Sequence, residues 1–138
     1  VKGNASQSAG ATAHGGTIII DGDASSRCGI SMKGVDIIVK GSVGHMSAFM
    51  AQAGTLMICG DAGDALGDSI YETVIYMAGK AKTLGVDCIE KKITKNDLKK
   101  IENLLKIGNV KKLKPHNFKK FGSARKLYNF NIDNVSDY

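Results

Sequence analysis

The stretch Gly60-Asp61-Ala62-Gly63-Asp64-Ala65-Leu66-Gly67 decides the fold, because its glycines recur along the chain at a fixed spacing. Its first glycine belongs to a column of residues nineteen positions apart: Gly3, Gly22, Gly41, Gly60 and Gly79. Small residues follow two positions later, and a second column follows seven positions later: Gly10, Gly29, Ala48, Gly67 and Val86. Self-similarity at a fixed period is the mark of a repeat architecture. Residues 1–87 are therefore predicted to be built from nineteen-residue repeats.

The apolar residues keep the phase of the glycines. Apolar residues stand two and four positions before them, for example Ile18 and Ile20 before Gly22, or Ile37 and Val39 before Gly41. Such alternation, ending at a glycine, is typical of a short half-buried strand. We expect each unit to hold a strand, a turn, a second short strand and another turn. The predicted fold is mainly β, a right-handed parallel β-helix whose stacked coils bury the inner face.

The glycine and proline contents agree with this fold. The chain has 17 glycines but one proline in 138 residues. Glycine columns supply backbone positions with positive φ, or places where two coils approach closely. Proline is scarce because a central strand needs each N–H for its neighbour. Collagen is excluded, and a hydrophobic content of 43% argues against disorder.

The charge divides the chain into two parts. The formal net charge is +6, but residues 1–87 hold six basic and eight acidic residues, whereas residues 88–138 hold 13 basic and 5 acidic residues. We predict β-helix repeats over residues 1–93, and a C-terminal helix with a basic, aromatic tail over residues 94–138. A positive surface raises the question of nucleic-acid binding. A solvated helix face is the favoured interpretation of these lysines, and nucleic acid is not the expected partner.

A helix is predicted to begin at Thr94, since Asp97 three residues later completes the spacing of a capping box. Leu98, Ile101, Leu104 and Leu105 follow with helical period, and Gly108 is the expected stop. We expect this helix to close the C-terminal end of the solenoid. The aromatic tail is expected to pack along the solenoid or against another subunit. Its candidate partner contacts are Phe118, Phe121, Arg125, Tyr128 and Phe130.

Candidate catalytic, cofactor-binding and metal-binding residues do not emerge from the spacing. The stretch 60–67 lacks the lysine that ends a phosphate-binding loop, and its aspartates would repel phosphate. Asp61, Asp64 and Asp68 have unlike neighbours in their repeat columns, which argues against a cation site. The three histidines share no spacing that would form a site, and neither do the three cysteines. They are His14, His45, His116, Cys28, Cys59 and Cys88.

Neither a membrane span nor a secretory signal is evident, and an odd number of cysteines argues against a disulfide scaffold. The expected compartment is the cytoplasm. The chain opens with Val1-Lys2-Gly3, which the repeat predicts to be the end of a strand. We therefore expect either that the solenoid continues in a longer protein, or that this end docks on a partner.

The repeat resembles the GxGxG-type β-helix domain in the C-terminal region of the glutamate synthase large subunit. The tail Phe118–Phe130 looks like the end of the stand-alone third subunit of archaeal-type glutamate synthases and N-methylglutamate synthase-like complexes. The resemblance implies a scaffolding role without cofactors in this chain. FMN, an iron–sulfur centre and the glutaminase are then expected in partner subunits of an amidotransferase and oxidoreductase complex.

Two other functions stay open at this point. One is the β-helical subunit of a formylmethanofuran dehydrogenase-like complex, although the tail argues against it. The other is a self-standing module that binds protein or nucleic acid. A homo-oligomer is compatible with each of these hypotheses.

Overall fold

The computed structural model describes residues 16–124, and four parallel strands form its centre. They are β1 (Thr17–Ile20), β2 (Lys33–Val39), β3 (Ala53–Ile58) and β4 (Val74–Met77). Each strand pairs with the next one along the chain, in parallel. Each coil therefore contributes one strand, and the coils stack as a β-solenoid of the predicted parallel kind.

The register of these strands is the sequence period itself. Ile18 lies opposite Ile37, Ile37 opposite Leu56, and Leu56 opposite Ile75, each pair nineteen residues apart. The one shift lies at the start of β2, where Lys33 pairs with Ala53 across an irregularity before Val35. Like side chains thus stack on like side chains, which keeps the interior apolar from coil to coil.

The second short strand of each unit is reduced to single parallel bridges. Ala24 pairs with Val43, Val43 with Ala62, and Ala62 with Ala81. Beyond this bridge the backbone takes a left-handed conformation at every second residue, with φ of 59° at Arg27, 72° at Gly29 and 52° at Ser31 in the first described coil. Left-handed residues cannot continue an extended strand, so the chain turns instead. The same three positions repeat in the next two coils: Met46, Ala48, Met50, Ala65, Gly67 and Ser69.

The last coil is one residue shorter than the others. Leu66 pairs with Leu84, eighteen residues later. The expectation that Val86 stacks on Gly67 is therefore wrong, and Gly85 takes that place. Close packing explains the glycine, because a Cβ on Gly85 would lie 2.3 Å from the Cα of Asp68. Val86 is instead 65% exposed.

The chain then leaves the solenoid and returns to it. It forms β5 (Cys88–Lys91), α1 (Lys95–Ile107), a 3₁₀ helix (Pro115–Asn117) and β6 (Lys119–Ser123). Strand β6 runs antiparallel to both β4 and β5, so the sheet order is β1-β2-β3-β4-β6-β5. The sheet of the solenoid is thus extended by a strand from the C-terminal part.

Two separate cores lie on the two faces of this sheet. The inner core holds the stacked residues of the solenoid, and Phe121 of β6 and Cys88 of β5 also belong to it. The outer core joins Ile38, Met57 and Tyr76 to one face of α1. Helix α1 therefore covers the flank of the solenoid and not its C-terminal end. The reason is physical: the outer face of the strands also carries large apolar side chains, and covering them removes their surface from water.

Candidate functional site

Neighbouring coils approach so closely at Gly41, Gly60 and Gly79 that these positions require glycine. A Cβ on Gly41, Gly60 or Gly79 would come within 2.9, 2.8 or 2.3 Å of backbone atoms in the preceding coil. Each of these glycines donates its N–H to the carbonyl oxygen of the column glycine before it, at 3.0, 2.8 and 3.0 Å. Gly22 accepts the first of these bonds, whereas Gly3 and Gly10 lie outside the described residues. The column is therefore a hydrogen-bonded seam.

A second seam of polar side chains runs beside the glycines. Asp23 Oδ1 accepts the N–H of Ser42 at 2.7 Å, and Ser42 Oγ accepts the N–H of Asp61 at 2.8 Å. Asp61 Oδ1 in turn accepts the N–H of Lys80 at 2.8 Å. Asp23, Ser42 and Asp61 thus have the same role although they differ in type. A carboxylate or a hydroxyl oxygen can each accept the backbone N–H of the next coil.

In the stretch 60–67, backbone N–H groups donate hydrogen bonds to neighbouring coils. The N–H groups of Gly60 and Gly63 donate to the preceding coil, whereas those of Ala62 and Leu66 donate to the following coil. In a phosphate-binding loop such N–H groups point at the ligand. Here they are bonded to other coils, which argues against phosphate binding by this stretch. Within residues 16–124, no group of three His, Cys, Asp or Glu side chains is placed to hold a metal ion.

The three cysteines are free thiols, and burial raises the pKa of each. The pKa of Cys28 is about 12, and that of Cys59 is about 11, although nearby Lys40 opposes its shift. The pKa of Cys88 is also about 11, with Lys91 opposing the shift. These thiols are therefore protonated near neutral pH, whereas the thiolate is the nucleophilic form.

A buried polar cluster fixes α1 to the sheet. Asp97 Oδ1 accepts a hydrogen bond from the hydroxyl of Tyr76 at 2.5 Å, and Oδ2 accepts one from Nζ of Lys120 at 3.0 Å. The N–H and hydroxyl of Thr94 also donate to Oδ2, at 2.8 and 2.9 Å, which completes the predicted capping box. These contacts tie the helix to β4 and β6 at once.

The pKa values in this cluster follow from burial and from its hydrogen bonds. Burial opposes ionisation of Asp97, but the hydrogen bonds from Tyr76, Thr94 and Lys120 outweigh it and hold the pKa of the carboxyl below its ordinary value. Burial, and then the bond to the Asp97 carboxylate, raise the pKa of Tyr76. The tyrosine is therefore a neutral donor and the aspartate an ionised acceptor.

Two of the candidate partner contacts lie inside the molecule. Phe118 belongs to the outer core and Phe121 to the inner core, with 4% and 6% of their surfaces exposed. Both side chains pack against the solenoid, because the chain returns from α1 as β6. Arg125, Tyr128 and Phe130 lie outside the described residues.

A groove that the sequence did not indicate lies at the C-terminal end of α1. Asn109, with φ of 57°, reverses the chain after the helix, and the following segment runs back over the flank. This leaves two adjoining hollows of about 470 Å³ each, which share Asn109, Val110, Lys111 and Leu113. We call them together the basic groove. Its remaining lining consists of Lys40, Cys59, Glu102, Leu105, Lys106, Lys112, Lys114 and Pro115.

No helix within residues 16–124 has the length and apolar character needed to cross a bilayer.

Comparison with known proteins gives two matches. A family model described as the GXGXG motif matches residues 1–133. Protein GlxC of Rhizobium meliloti (strain 1021) is 62% identical over 96 residues, which is 70% of this chain and 42% of that protein. The chain thus spans less than half the length of this relative. No solved structure matches the chain.

Proposed function

Because the chain belongs to the GXGXG-motif family of β-helix domains found in glutamate synthases, we propose that it is a non-catalytic scaffold of a glutamate synthase-like assembly. In this role it holds catalytic partners in a fixed arrangement. The glutaminase, the FMN and the iron–sulfur centre of the amidotransferase and oxidoreductase reactions then lie in those partners. We place the assembly in the cytoplasm and expect it to be of the archaeal type.

One observation carries the proposal: the polar side chains beside the glycine column are bonded to neighbouring coils. The oxygen atoms of Asp23, Ser42 and Asp61 each accept a backbone N–H of the next coil. A catalytic site needs polar groups directed at a substrate, whereas a scaffold needs groups that fix one coil to the next. These three side chains fix one coil to the next, which supports a scaffold.

The cluster around Asp97 supports the same role. It joins α1, β4 and β6 by charged and buried hydrogen bonds, and Lys100 of α1 adds an ion pair of 2.9 Å to Asp36 of β2. The helix is thereby held against three strands of the sheet. A surface built on such a framework keeps its shape, as docking of partners without large rearrangement requires.

Reconstitution tests the proposal. The chain is purified alone, and also co-expressed with the glutaminase and FMN-bearing subunits of a glutamate synthase-like system from the same organism. We expect the chain alone to neither hydrolyse glutamine nor oxidise a nicotinamide cofactor. In the co-expressed sample it should elute with both partners, and glutamine-dependent activity should fall when it is omitted. Turnover of either substrate by the purified chain would contradict the proposal.

A further inference from the structure

We propose that the basic groove is a docking site for an acidic, amphipathic segment of a partner protein. Apolar side chains of that segment would occupy the two hollows, and its carboxylates would face the surrounding lysines. That this partner belongs to a glutamate synthase-like assembly rests on the function proposed above. The groove and the chemistry of its occupant rest on the structure alone.

The floor of the groove is apolar and only partly covered. Val110 and Leu113 are half-buried and pack against the outer core, and half-buried Cys59 lies beside them on the second hollow. Leu105 of α1 contributes to the first hollow. Two adjoining hollows with apolar residues in their floors, which share Val110 and Leu113, suit alternate side chains of a bound segment.

The rim is strongly positive. Lys106, Lys111, Lys112 and Lys114 are exposed, and no carboxylate within residues 16–124 lies within 4 Å of any of their nitrogens. Lys40 also lines the groove, and Asp21 neutralises it at 3.0 Å. Glu102 is the one acidic residue of the lining. Acidic groups on a partner would therefore complement the charge of this rim. They would also raise the rate at which the partner associates with the groove.

The parts of this chain outside residues 16–124 do not supply that complement. Residues 125–138 hold two basic and two acidic residues, and residues 1–15 hold Lys2 and no acidic residue. The charge of the rim thus favours a segment from another protein over residues 1–15 or residues 125–138. The experiments below also test two other occupants of the groove, a second copy of this chain and a nucleic acid.

Charge reversal in the groove gives a specific variant and a matched control. The double variant Lys111→Glu, Lys112→Glu reverses two rim charges. The control Lys92→Glu, Lys95→Glu makes the same change of net charge at the other end of α1, roughly 20 Å away. Circular dichroism and thermal melting of both variants show whether the fold is kept.

The decisive measurement is photo-crosslinking in the co-expressed assembly, with p-benzoylphenylalanine at position 113 and peptide identification by mass spectrometry. We expect crosslinks to an acidic segment of a partner subunit, reduced at least tenfold by the groove variant and unchanged by the control. Crosslinks to a basic or uncharged segment, or to a second copy, would overturn the inference. So would an intact assembly without crosslinks at this position, in which case the proposed function would still stand.

A second experiment measures binding to the groove of the purified chain. It tests the inference even if no assembly forms and the proposed function is wrong. The probes are a fluorescein-labelled sixteen-residue peptide of alternating Glu and Leu, and a labelled DNA duplex of twenty base pairs, both followed by anisotropy. The inference predicts that the peptide binds, that the groove variant weakens binding at least tenfold, and that salt weakens it further. Equal binding to both variants, or tighter binding of the DNA in the groove, would overturn it.

Discussion

The solenoid and its flank are held together in different ways. In the solenoid, contacts join residues nineteen apart, such as Ile37 with Leu56, or Asp61 with Ser42. On the flank they join positions without a common spacing, such as Asp97 with Tyr76, 21 residues apart, and Lys100 with Asp36, 64 apart. The repeat distributes its stability over many equivalent contacts, whereas the flank depends on a few individual ones. Substitutions in the two regions should therefore behave differently.

The largest effect is expected in the repeat, from Gly60→Val. A Cβ at this position would lie 2.8 Å from the carbonyl carbon of Gly41, so the two coils would be forced apart along the glycine seam. We expect the free energy of unfolding to fall by at least about 3 kcal/mol. Urea denaturation followed by circular dichroism measures it.

Gly34→Ala is the matched control for that substitution. Gly34 has a φ of 93°, but nothing lies within 4 Å of the Cβ that alanine would add. Backbone strain without collision should cost about 1–2 kcal/mol. If Gly60→Val costs no more than Gly34→Ala, close approach between coils is not what the glycine column provides.

The flank should respond most strongly to Asp97→Asn. An amide cannot serve as the anionic acceptor for Tyr76 and Lys120, and it would leave the partly buried ammonium of Lys120 without a counter-charge. We expect a loss of about 2–3 kcal/mol in the free energy of unfolding. Measurement by urea denaturation at pH 7 allows direct comparison with Gly60→Val.

The same substitution makes a prediction about pH. Because the folded pKa of Asp97 lies below its unfolded value, its contribution is complete above the unfolded pKa of about 4 and is lost as the pH falls through the folded pKa. The natural protein should lose stability in this acid range more steeply than the Asn variant. Parallel slopes for the two proteins between pH 5 and pH 2.5 would show that Asp97 is not the group responsible.

The contrast between the solenoid and the flank also explains which features of the fold could be predicted from the sequence. The register of Ile18, Ile37 and Leu56 follows from spacing alone, because a repeat places each residue on its own copy. The left-handed turns were not foreseen, since Arg27 and Met46 adopt positive φ without being glycine. Their conformation is set by stacking on the neighbouring coil, which composition does not reveal.

The flank was misjudged for a different reason. Ile38 and Met57 stand among other apolar residues, so their strands are apolar on both faces and need cover on both. We inferred half-buried strands from the glycine phase, which left α1 with no surface except the end of the solenoid. The basic groove was beyond prediction, because it depends on where the chain returns after Asn109.

The smallest effect is expected from Lys100→Ala on the flank. The ion pair of Lys100 with Asp36 spans 2.9 Å, but the two side chains are 39% and 25% exposed, so water competes for both charges. We expect a loss of about 0.5 kcal/mol, reduced further at 1 M salt. Lys95→Ala, on a residue in the first turn of the same helix and without an ion pair within residues 16–124, should change stability by less than that. A cost above about 2 kcal/mol for Lys100→Ala would mean that the helix is held to β2 by this pair, and not by the outer core and Asp97.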